Sequence, residues 1–134
     1  MQKDFTILVS DRNRYVREFL KRELTAQGYR VKLARTGREV LKEVFNHESL
    51  DLLILDLDLP EVKELSIMEK LGDRIPAIPV VIHCFLEEYT NHQGRLSTTA
   101  FVEKEGTNID RLKAVVLELL RKTYPKRFES RRKQ

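Results

Sequence analysis

The sequence has one cysteine, no tryptophan and only five glycines among its 134 residues. A lone Cys84 cannot form an internal disulfide, so a reducing, cytoplasmic setting is expected. The glycines stand apart, at 28, 37, 72, 94 and 106, which excludes a glycine-rich phosphate loop. His47, His83 and His92 show no ligand spacing with one another or with Cys84, so no zinc site is expected. No apolar run approaches the ~20 residues that span a bilayer, and the opening Met1-Gln2-Lys3-Asp4 does not read as a signal peptide.

Charge is not spread evenly either. Residues 121–134 hold seven basic side chains against one acid, net +6, so the first 120 residues carry −2 of the overall +4. The expected organisation is a mildly acidic folded body, 1–123, followed by a basic tail, 124–134. The tail has two aromatics, Tyr124 and Phe128, too few for a stacking platform. A solvated terminus is therefore expected, with nucleic-acid binding the lesser reading.

What the chain does have is regular alternation. Apolar runs at 5–10, 29–34, 52–56, 80–84 and 100–103 read as strands. Leu52 to Leu55 and Val80 to Ile82 are apolar at every position, as in strands covered on both faces. Between them lie helical stripes: Val16, Leu20 and Leu24 before Gly28; Val40, Leu41, Val44 and Phe45 after the capping box at Thr36 to Glu39; Leu65, Met68 and Leu71 before Gly72. A weak, polar helix is expected over 87–96. A stronger one runs from a cap at Asn108 through Ile109, Leu112, Val116 and Leu120 to Pro125. Five strands alternating with five helices predict an α/β fold with a doubly wound parallel sheet.

Such sheets bind ligands at the carboxyl ends of their strands. Here those ends carry Asp11 and Arg12, then Asp56 and Asp58, then Cys84, then Lys104. A carboxylate there can attack phosphorus, a lysine can neutralise the charge that arrives, and paired acids suit a hard cation. Structural ion pairing of Asp11 and Asp56 with Arg12 and Lys104 explains the same residues, and spacing alone does not separate the two readings.

In order and near-normal spacing, Ile7-Leu8-Val9-Ser10-Asp11-Arg12, Gly28-Tyr29, Asp51 to Pro60, Pro79-Val80-Val81-Ile82 and Phe101-Val102-Glu103-Lys104 resemble the response-regulator receiver domain. The resemblance covers about residues 5–120. It implies the flavodoxin-like (βα)5 sheet with strand order 2-1-3-4-5, and a signalling module of a two-component phosphorelay rather than an enzyme. It further implies Asp56 as phosphoacceptor, Lys104 as its cationic partner, and Cys84 and Phe101 as switch positions. A Mg²⁺ would be held by Asp11, Asp56 and the Asp58 backbone carbonyl, and the implied partner is a histidine kinase or another signalling protein.

Arg12 breaks the pattern, because it stands where the family has a second acid. At about 4 Å and an effective dielectric near 20, one charge interaction is worth roughly 4 kcal/mol. Exchanging an anion for a cation there is expected to weaken Mg²⁺ strongly, with Arg12 either forking onto Asp11 or Asp56 or swung into solvent. Cys84 stands for a Thr or Ser hydroxyl, and Phe85 for a small residue that would leave the pocket open. Glu105 stands for a proline and is expected in a trans bond that displaces Lys104, and Glu64 for a glycine. The expectation is a degenerate receiver acting largely through protein contacts; the alternative is an ordinary Mg²⁺-dependent response regulator. Asp56-Leu57-Asp58 also resembles the nucleophile and general acid of a small aspartyl-phosphate phosphatase, although Pro60 departs from that motif.

Overall fold

The apolar runs form five strands, β1 Thr6–Ser10, β2 Arg30–Ala34, β3 Leu52–Leu55, β4 Val80–Cys84 and β5 Thr99–Glu103. In the computed structural model, which describes residues 5–46, 49–85, 87, 99–104 and 109–132, all pair in parallel in the order β2-β1-β3-β4-β5. This is the expected topology, with each strand within one residue of its expected ends. The described helices are α1 Arg14–Ala26, α2 Gly37–Val44, α3 Ile67–Gly72, α4 Ile109–Thr123 and α5 Pro125–Arg132. The expected helix over 87–96 (apart from residue 87), the Asn108 cap and the Glu105 peptide lie outside the described residues.

Two apolar layers explain why the central strands are hydrophobic at every position. On one face Leu8, Leu53, Leu55 and Ile82 pack with Val40 and Val44 of α2 and Ile67 and Leu71 of α3. On the other, Ile7, Val9, Ile54 and Val81 pack with Leu20 and Leu24 of α1 and Leu112, Val116 and Leu120 of α4. Local chemistry sets the helix ends. Asn13 caps α1 by accepting from the amides of Tyr15 (2.8 Å) and Val16 (3.4 Å). Gly28, at φ 98°, closes it with the left-handed turn glycine adopts freely. Thr36 caps α2 by accepting from the Glu39 amide, as expected from the capping box.

The C-terminal segment differs from expectation. Tyr124, Arg127 and Phe128 are partly buried and pack beneath the amino edge of the sheet, while Pro125 and Lys126 stay exposed. The Tyr124 hydroxyl donates to the Asp51 carbonyl at 2.8 Å, and Arg127 forks onto both Asp51 carboxylate oxygens at 2.7 and 3.4 Å. Phe128 stacks on the buried Phe5 at 5.3 Å, and the Arg127 guanidinium lies 4.1 Å from the same ring centre. Asp51 in turn accepts from the Thr6 amide, which ties α5 to the start of β1. A sequence pattern could not reveal this, because Pro125 interrupts the helix and the run around it is mostly charged.

Ending the chain after Thr123 should uncover Phe5 and leave Asp51 without its cation. A loss of about 2–4 kcal/mol is expected in urea denaturation, from the aromatic packing and hydrogen bonds removed. An unchanged midpoint would show that the segment contributes nothing to the fold.

Candidate functional site

Because all five strands run in parallel, their carboxyl ends share one edge, and the strand order reverses between β1 and β3. Asp11 follows β1 and Asp56 follows β3, side by side, with the Asp56 amide donating to the Ser10 carbonyl at 3.2 Å. Both acids are 1% exposed. Lys104 follows β5 and reaches across to them, its ammonium 2.7 Å from Asp11 Oδ2 and 3.2 Å from Asp56 Oδ2. The two acids thus share one partner, as their placement predicts, and Lys104 is not displaced from the crevice.

The backbone fixes the other carboxylate oxygens. Asp11 Oδ1 accepts from the Asn13 amide at 2.8 Å, and Asp56 Oδ1 from the Asp58 amide at 3.0 Å. Burial pushes the Asp11 pKa above the ordinary aspartate value, against the lowering effect of its contacts with Lys104 and Asn13. Burial also works against the Lys104 ammonium, but its pairing with Asp11 and Asp56 outweighs this and raises its pKa. The lysine is therefore a firmly charged clamp between two acids.

Arg12 takes the outward course rather than the forked one, and it meets Asp58 there. Its guanidinium turns outward and pairs with the Asp58 carboxylate at 2.6 Å, forking onto neither Asp11 nor Asp56. Only its backbone amide approaches Asp56 Oδ2, at 3.5 Å. Asp58, expected to serve through its carbonyl, is here engaged through its side chain. The pair is half exposed, at 54% and 42%, so its own stabilisation is of order 0–1 kcal/mol. Its weight lies in position, because a cation now stands beside the acidic pair.

Cys84 is fully buried in the layer facing α2 and α3, with the partly buried Phe101 packed against the same cluster. Phe85 is 48% exposed at the end of β4, its ring centre 5.8 Å from the Lys104 ammonium. Two positioning residues escaped the sequence reading. Asn13 had a signal, standing one residue before the α1 stripe. Arg17 had none, since an arginine on a helix ordinarily faces water; here it is buried and donates to the Asp11 (2.8 Å) and Arg12 (3.2 Å) carbonyls. The loop after Asp56 also departs from a glycine-bearing one. Glu61 takes φ 74° while accepting from the Arg38 amide, and the backbone of Glu61 lies 3.0 Å from where a Cβ on Gly37 would sit.

The family resemblance implies a divalent metal here, and the side chains as they lie suit one poorly. Two acids are spanned by one ammonium, the third acid is spent on Arg12, and among the described residues no three His, Cys, Asp or Glu side chains cluster as metal ligands.

Residues 7–116 match the response regulator receiver domain. The chain belongs to that family. This receiver domain is 31% identical over 121 residues to the response regulator MprA of Mycolicibacterium vanbaalenii, covering 89% of this chain and 52% of that protein. It thus spans about half that relative's length. Among solved structures it resembles the response regulator TrrA of Thermotoga maritima in complex with Mg²⁺ and BeF, with TM-score 0.70 and 29% identity over 86% of this chain and 98% of TrrA. In fold it also matches a streptococcal redox sensor of a family evolved from two-component response regulators. That match has TM-score 0.78 at 23% identity and covers 96% of this chain and 55% of the other. The receiver domain is thus a two-component module with a flavodoxin-like fold, and no described helix is long and apolar enough to cross a membrane.

One buried group near the site yields a pH test. His83 is 8% exposed, and burial, reinforced by Lys104, pushes its pKa down to about 4. The unfolded chain binds this proton near pH 6.5, so the folded state loses stability as pH falls from about 6.5 to 4. Against His83→Leu, the unsubstituted receiver domain should lose an additional 2–3 kcal/mol or so across that window in urea titrations. Parallel pH profiles would contradict the buried neutral imidazole.

Proposed function

We propose that this receiver domain signals largely through protein contacts, with Asp56 a nominal phosphoacceptor whose metal support has been lost. The observation that carries the reading is the redistribution of charge around Asp56. Lys104 occupies the space between the two acids, and Arg12 brings a cation in place of an acid and consumes Asp58. A phosphoryl group arriving at Asp56 would meet Lys104 and Arg12, which can neutralise part of its charge without a metal. It would also meet the partly exposed ring of Phe85 at the mouth.

Transmission beyond the acceptor is weakened too. Cys84 stands where a hydroxyl would link the phosphoryl group to the Phe101 switch, and a thiol donates a weaker hydrogen bond. The partner on this reading is a histidine kinase or another signalling protein that recognises the strand-end face. The domain carries out no reaction on a small substrate of its own. An aspartyl-phosphate phosphatase would need Asp58 free to act as a proton donor, and here its carboxylate is engaged by the Arg12 guanidinium at 2.6 Å.

Incubation with acetyl phosphate and Mg²⁺, read by intact-mass spectrometry, tests this directly. Slow or undetectable modification is expected, faster by ~10-fold or more in the Arg12→Asp, Phe85→Ala double variant, since a charge reversal at this range is worth well over 1.4 kcal/mol. Asp56→Asn serves as the blank. Rapid Mg²⁺-dependent labelling of the unsubstituted chain would make this an ordinary response regulator, and labelling that survives Asp56→Asn would remove the acceptor assignment.

A further inference from the structure

Beside the acceptor site, between the amino ends of α1 and α4, lies a cavity of about 280 Å³. Its walls are apolar: Val16, Phe19 and Leu20 from α1, Ile109 and Leu112 from α4, and Phe85 from the end of β4. Phe19 and Phe85 are 39% and 48% exposed, leaving aromatic surface in water that an occupant would cover. A cavity of roughly 150 Å³ lined by aliphatic and aromatic side chains holds benzene, so this one accommodates one or two fused rings.

The polar lining is one-sided. Arg12 and Lys104 are the charged residues on it, and among the described residues no Asp or Glu joins them. The acids that pair with these cations lie on the acceptor side. The Arg12 guanidinium uses one nitrogen on Asp58, and its fork has five donors in all. His83, on β4, also lines the cavity. It is more than nine-tenths buried, and its Nδ1 has no hydrogen-bond partner among the described residues. A buried polar atom left unpaired costs about 1–3 kcal/mol, which a bound oxygen can recover. The low pKa of His83 keeps the imidazole neutral at pH 7, so it can present an N–H on Nδ1 without adding charge.

We infer that this cavity is a binding site for a small aromatic carboxylate, its ring between Val16, Phe19 and Phe85 and its carboxylate towards Arg12 and Lys104. The apolar walls select the ring and the cations select the anion. Arg12 links the site to the acceptor pocket, because a carboxylate drawn to its guanidinium competes with Asp58. A metabolite of this class would then bias the same cation that governs the chemistry of Asp56.

The test titrates 2-naphthoate into the ¹⁵N-labelled 134-residue chain. Amide shifts are followed at the starts of α1 and α4, together with the His83 ring nitrogens, and 2-naphthylmethanol is the neutral match. Saturable shifts at those positions are expected. Binding should weaken ~10-fold or more in Val16→Phe, which fills the cavity, and ~5-fold or more in Arg12→Gln and for the alcohol, as loss of a charge-assisted hydrogen bond implies. Arg12 is half exposed, so its variant folds whatever Val16→Phe does. Shifts that do not saturate, equal binding of acid and alcohol, or affinity unchanged in both variants would each overturn the assignment.

Discussion

Everything at the carboxyl edge of this sheet is arranged around one ammonium group. Lys104 lies between two acids that are almost wholly removed from water, and it is the cation that both of them contact. Its reach from β5 across β4 to the ends of β3 and β1 depends on the parallel order of the strands. The order depends in turn on two apolar layers covering both faces of the sheet. The backbone then adapts to the acids, with the amides of Asn13 and Asp58 turned onto them and Arg17 holding the carbonyls of Asp11 and Arg12 from beneath.

Arg12 changes what this arrangement can do. A receiver built with a third acid at that place would leave anionic charge for a cation to neutralise. Here Arg12 and Lys104 together offset most of the charge of Asp11, Asp56 and Asp58. The same side chain closes one side of the apolar cavity between α1 and α4. One substitution thus bears on both the acceptor pocket and its neighbour, and on our reading it moves the domain from metal-supported phosphorylation towards recognition by contact.

Much of the fold was legible because period and burial agree. Leu52 to Leu55 and Val80 to Ile82 read as doubly covered strands, and in a parallel sheet Asp11, Asp56 and Lys104 then fall at one edge. The site was harder to read where long side chains choose among partners. Arg12 had Asp11, Asp56, Asp58 and water available, and the sequence could not tell that Asp58 wins, since a half-exposed ion pair contributes only about 0–1 kcal/mol and leaves no local pattern. Arg17 hid for the opposite reason, its burial being visible only once α1 is laid on β1. The docking of Tyr124, Arg127 and Phe128 rests on Asp51 and Phe5, more than 70 residues away in the chain, and no local pattern encodes a contact of that span.

The central claim is that charge at position 12 governs divalent cation binding beside Asp56. Calorimetric titration of Mg²⁺ into the unsubstituted chain and into Arg12→Asp measures this most directly. The account predicts no saturable binding in the low-millimolar range for the first and clear saturation for the second, a difference of ~100-fold or more from reversing one charge at about 4 Å. Tight binding by the unsubstituted chain, unchanged in Arg12→Asp, would contradict it.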